Sequence, residues 1–221
     1  MTRRILQFAL LCLMLSPGAI WAKKEKTIVY ADSVLTDQKY HFTMTVSKDW
    51  KVKSMDEPSI ERAYLEKKNY SINQKIKAYG GDYTIPTVLI YAQDFNGTIE
   101  DFEALLKKSL EEHNSDNEII SKLGLLRDSD YVIGDDVKVG SHDSHHLLLK
   151  RNYHRILSTD PYDNDSKPTK NPDQYINDHE VHELYVFKQD STLFVIQTYS
   201  EREFFQENKV DFDKLIASFK M

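Results

Sequence analysis

A chain of 221 residues, 40% of them hydrophobic, is long enough to bury one sufficient core without covalent staples. Its formal net charge of −6 repels nucleic acid and anionic lipid surfaces, so neither is expected as a partner. Its one cysteine, Cys12, sits in the leader described next, which excludes a disulfide, a thiolate nucleophile or a cysteine metal ligand from the mature chain.

Residues Met1 to Ala22 have the three-part layout of a cleavable signal peptide. Arg3 and Arg4 start it, the run from Ile5 to Leu15 is apolar apart from Gln7, and Pro17-Gly18 breaks the helix before the small residue Ala22. That run is too short to cross a bilayer and no later stretch is longer, so no membrane span is expected after cleavage. The product would be an exported protein, periplasmic or secreted, with residues 23–221 forming one globular domain.

Tyr40 to Val46 alternates Tyr40, Phe42, Met44 and Val46 against polar residues, the period of a half-buried strand, and Trp50 follows a turn-like Ser47-Lys48-Asp49. A strand is expected at Thr87 to Ala92, with Pro86 confined to its start. After Asn96-Gly97, Thr98 can cap a helix with Asp101 three residues on, and Ile99, Phe102, Leu105, Leu106 and Leu110 share one face. Glu118 to Leu126 reads as a strand, although its helix formers pull the other way, and Arg127 to Ser144 reads as a polar connection. His145 to Ile156 and His182 to Lys188 are expected strands. In Thr192 to Tyr199 the consecutive Leu193, Phe194, Val195 and Ile196 would point to both faces of a sheet, which must therefore be covered twice. Phe212, Leu215, Ile216 and Phe219 mark a closing helix starting near Asp211. Leu157 to Asp178, with three prolines and many acids and amides, is expected to be a long polar surface loop.

The strand at Tyr40 to Val46 with Ser47-Lys48-Asp49-Trp50, the mid-chain amphipathic helix, the late hairpin Tyr185 to Tyr199 and the closing Phe212-Asp213-Lys214-Leu215-Ile216-Ala217-Ser218-Phe219 resemble the PsbP-like superfamily. That group includes the extrinsic photosystem subunit, bacterial exported relatives and a Ran-GTPase-binding protein. The resemblance implies an α+β fold, an antiparallel sheet covered by helices on both faces as an α/β/α sandwich. It also implies an accessory or binding role, and it transfers no catalytic residue. The long loop and the acidic balance depart from the pattern.

Chemistry leaves few local signatures. There is no Gly-x-Ser-x-Gly elbow, phosphate loop or dinucleotide fingerprint, and no cofactor is expected. Histidine is the strongest lead. His179-Glu180-Val181-His182-Glu183 is one residue short of the helical zinc motif, and in a strand His179 and His182 would face opposite ways. His142 and His146 share one face of the preceding strand, and a neighbouring strand could bring His182 or Glu180 beside them; these four are the candidate metal ligands. Asp160, Tyr162, Asp163 and Asp165 on the long loop are the candidate binding residues, though their spacing fails the EF-hand pattern, with Lys167 where an oxygen ligand belongs. Lys67, Lys68, Lys75 and Lys77 alternate with tyrosines as half-exposed strands do.

The function these readings favour is an exported, soluble binding or accessory domain without catalytic activity, its partner an unknown protein or envelope component. The alternative is a metal-dependent or other hydrolase built on the histidine-rich late strands.

Overall fold

A computed structural model describes residues 27–54, 59–70, 84–127, 129–156 and 175–221. The leader at Met1 to Ala22 and the loop candidates Asp160, Tyr162, Asp163 and Asp165 lie outside these residues, as do Lys75 and Lys77.

Ten strands form two sheets among the described residues. The small sheet holds β1 (Ile28–Ala31), β2 (Val34–Asp37) and β3 (Phe42–Thr45) in that order. The large sheet holds β4 (Trp50–Ser54), β5 (Glu61–Lys67), β6 (Thr87–Asp94), β7 (Ser129–Val139), β8 (His142–Ile156), β9 (Tyr175–Gln189) and β10 (Thr192–Glu201). Its order is β4-β5-β6-β10-β9-β8-β7, and every pairing is antiparallel. Three α-helices, α1 (Ile99–Glu112), α2 (Glu118–Lys122) and α3 (Phe205–Ala217), complete the described secondary structure with one short 3-10 turn.

β10 is buried on both faces, as its consecutive apolar residues require. Leu193 and Val195 join a cluster with Leu89, Tyr91, Leu147, Leu184 and Val186 of the sheet, Phe102 and Leu106 of α1 and Ile119 and Ile120 of α2. Phe194 and Ile196 join the other cluster, with Phe187, the small sheet's Leu35, Phe42 and Met44, and Phe212, Leu215, Ile216 and Phe219 from the chain's end. On that second side the cover is shared between a helix and three strands, a division the sequence pattern did not suggest. Thr43 and Lys220 exchange backbone hydrogen bonds of 2.7 and 2.9 Å, which stitches the chain's last residues to β3. Trp50, read as following a turn, is buried against Phe212.

Side-chain caps start α1 and α2. Thr98 accepts from the Asp101 amide, and the Asp101 carboxylate accepts from the Thr98 amide, a reciprocal capping box. Four expectations need correction. Glu118 to Leu126 begins as a helix, because Asn117 caps the Ile120 amide and Ile119, Ile120 and Leu123 then lie on one buried side. Arg127 to Ser144 holds the whole of β7, an edge strand whose polar residues conceal it, and the start of β8. The closing helix starts at Phe205 rather than near Asp211. Tyr175 to Asp178, read as the end of the long loop, belongs to β9 and pairs with β8 from Ile156 onward.

Candidate functional site

The strand register decides which candidate residues can meet. His146 lies opposite Tyr185, while Glu180 lies opposite Arg151 and His182 opposite Leu149, farther along the same pair of strands. Side chains alternate across a strand, so His142 and His146 share the face of Tyr185 and Phe187, whereas His182 and Glu180 share the opposite face with Leu184 and Val186. The four candidate metal ligands are not brought together, and no group of three His, Cys, Asp or Glu residues placed to hold a metal ion occurs among the described residues. The near-miss zinc motif is a strand, as its valine and aromatic neighbours favour.

Each histidine instead has its own structural setting. His142 stacks on Phe187 at 5.4 Å between ring centroids. His146 stacks on Tyr185 at 4.9 Å, with Nδ1 2.7 Å from Asp135 and Nε2 3.2 Å from Glu183. Burial alone would lower its pKa, but the two carboxylates prevail and hold it above the ordinary value. His145, on the other face, has Glu103 3.4 Å from Nδ1 and Asp136 and Glu100 3.5 and 3.7 Å from Nε2.

His182 and Glu180 lie at the base of a cleft of about 410 Å³. It opens where β5, β6, β8, β9 and β10 meet the end of α2, and its walls include Tyr64, Ile85, Leu89, Leu123, Arg151 and Tyr199. His182 is buried and stacks on Tyr199 at 4.9 Å. Its protonation state follows from its partners. The Gln197 amide nitrogen donates to the Leu123 carbonyl at 3.0 Å, and its second hydrogen is aimed at His182 Nδ1, also at 3.0 Å. Nδ1 therefore accepts, and the proton sits on Nε2, which donates to Glu180 Oε2 at 3.2 Å. Burial lowers the pKa of His182, which keeps the ring neutral.

Glu180 is satisfied on both oxygens. Oε1 accepts from the Thr84 hydroxyl at 2.5 Å, and Oε2 accepts from His182 and, at 3.2 Å, from Arg151 Nη1. Burial works to raise its pKa, yet these donors and the guanidinium charge outweigh it and bring the pKa down to about 2. Thr84 also donates its amide to Glu201 at 3.0 Å, so one residue ties the segment leading into β6 to both β9 and β10. Sequence reading singled out His182 and Glu180 but missed Arg151, Gln197, Thr84 and Tyr199. Arg151 comes from β8, Gln197 and Tyr199 from β10 and Thr84 from the segment before β6, and only the strand order and register make them neighbours.

No family model and no curated protein matches the chain. In structure, the chain is similar to PsbP-like proteins. Cyanobacterial PsbP (CyanoP) from Synechocystis sp. PCC 6803 has 10% identity and a TM-score of 0.48, over 93% of this chain and 98% of that one. LpqN of Mycobacterium tuberculosis, described as involved in cell envelope biogenesis, has 10% identity and a TM-score of 0.43, over 81% and 82%. The Saccharomyces cerevisiae Ran-binding protein Mog1p has 10% identity and a TM-score of 0.41, over 81% and 89%. These are likenesses of fold alone. No helix among the described residues is long and apolar enough to cross a membrane.

Proposed function

We propose that the chain is an exported binding or accessory domain without catalytic activity, released by cleavage after Ala22 and acting on a protein or envelope component. Residues 23–221 form its one domain, a helix-covered antiparallel sheet of PsbP-like type with a polar loop within 157–178. The observation that carries this reading is the engagement of the chemically capable groups at the base of the cleft. Both ring nitrogens of His182 and both carboxylate oxygens of Glu180 are engaged, by each other along β9 and by Gln197 of β10, Arg151 of β8 and Thr84 ahead of β6. A general base needs a lone pair directed at substrate, and here the accepting Nδ1 is turned to Gln197. The cluster fixes the floor of the cleft, and the open space above it is suited to contact.

The test is affinity capture of the mature protein from an extract of its own envelope, paired with assay of the same extract for turnover. A stoichiometric partner or ligand retained by His182→Asn supports the proposal. Turnover by the purified protein that disappears in a folded His182→Asn variant contradicts it and favours the hydrolase.

A further inference from the structure

We infer that the cleft is a binding site for a small ligand carrying a single carboxylate on an apolar body, with Arg151 as the group that receives the carboxylate. This rests on the binding-domain reading and gives that site its ligand class.

Size comes first. A space of about 410 Å³ falls within the roughly 300–1,000 Å³ range of sites that enclose small molecules. Ile85, Leu89 and Leu123 and the rings of Tyr64 and Tyr199 supply apolar wall. At the end of α2, Gly124 has φ +70°, and the position its Cβ would occupy has no atom within 4 Å, so the wall stays open there. A body of aromatic or short aliphatic size has room and apolar contact.

Charge decides the head group. The two acids lining the cleft are committed: Glu180 to Thr84, His182 and Arg151, and Glu66 to the Tyr64 hydroxyl at 2.7 Å and Lys53 at 3.0 Å. The cations lining it are less fully engaged. Arg151 uses Nη1 on Glu180, and no other acceptor among the described residues meets its guanidinium, whose side chain is 42% exposed. Lys122 lines the same cleft and acts on Glu61 through its charge, without an ion-pair contact among the described residues. The available donors thus form a planar guanidinium fork with an ammonium in the same cleft, and the fork matches the two oxygens of a carboxylate. Glu66 and Glu180 in the same lining oppose a second negative charge, which favours a carboxylate over a phosphate dianion.

Two-dimensional amide NMR of the mature protein, titrated in parallel with benzoate, hexanoate, benzamide and inorganic phosphate, tests this. Benzoate or hexanoate is expected to give saturable shifts at Leu89, Leu123, Gly124 and Arg151. Benzamide should bind about tenfold more weakly or worse, and Arg151→Gln should weaken carboxylate binding by about tenfold or more. Should Arg151→Gln not fold, Arg151→Lys keeps a cation beside Glu180 while removing the fork, and a loss of binding is expected there too. Absence of cleft shifts with both carboxylates, equal binding of benzamide, stronger binding of phosphate, or unchanged binding by a folded Arg151 variant each overturns the inference. None of these results bears on whether the protein turns over a substrate, so the binding-domain reading stands or falls separately.

Discussion

At the residue scale, the most consequential pair joins the two sheets. Arg62 of β5 donates from Nε to Asp37 of β2 at 2.7 Å, from Nη1 to the Ser59 carbonyl and from Nη2 to Thr27, both at 2.9 Å. Asp37 also accepts the amides of Lys39 and Tyr40, and both side chains are buried. Arg62→Ala leaves a buried carboxylate without its cation and is expected to cost about 3–5 kcal/mol. The double variant Arg62→Met, Asp37→Asn should cost less, because no uncompensated charge remains. Equilibrium denaturation of the three proteins checks the order, and a single variant no worse than the double contradicts the account. Nothing in the sequence marks this pair: a lone arginine and a lone aspartate on separate strands carry no periodic signal.

Protonation belongs to the same scale. His146 has a folded pKa above the ordinary 6.5, so its contribution is fully present below pH 6.5 and is lost as pH rises through the folded value. The gap in stability between the parent and His146→Gln should therefore be widest below pH 6.5 and narrow above it. Denaturant melts across this range test that, and a gap that grows with pH contradicts it. His182 works in the other direction: its lowered pKa favours the neutral ring, so its contribution holds above pH 6.5 and weakens as pH falls below it. Glu180 adds stability present above pH 4.5 and lost as pH falls toward about 2.

At the scale of elements, legibility in the sequence tracks how far adjacent residues agree on one structure. The capping box of α1 and the two-faced burial of β10 are written in adjacent residues, and both are found in the structure. α2 and β7 are not so written. The β-branched Ile119 and Ile120 favour a strand until Asn117 caps the turn, and among the described side chains of β7 only Val139 is fully buried while its acids pair across the edge. α3 offers the sharpest energetic test. Phe219 lies just beyond its end, is buried, and contacts Phe42 at 5.1 Å and Phe187 at 5.5 Å between ring centroids. Phe219→Ala should cost about 3–5 kcal/mol in a denaturant melt. A change within about 0.5 kcal/mol, the range of ordinary surface substitutions, would place this ring outside the core.

At the scale of the whole molecule, the candidate site was half legible. His182 and Glu180 stood out as a local run, but their grouping with His142 and His146 fails because the β8–β9 register places the pairs apart and on opposite faces. Their actual companions, Arg151, Gln197, Thr84 and Tyr199, are assembled by a strand order in which β10 lies between β6 and β9. Order and register depend on how all the strands pair, which local patterns do not encode. The resulting picture is an antiparallel sheet whose polar cluster lines an open cleft. Hydrogen exchange on the mature protein, with and without the partner or ligand captured from its envelope, tests this most directly. The account predicts added protection at Thr84 to Leu89 and Lys122 to Leu125, beside the cleft. Protection confined to the small sheet β1–β3, with those two segments unchanged, would contradict it.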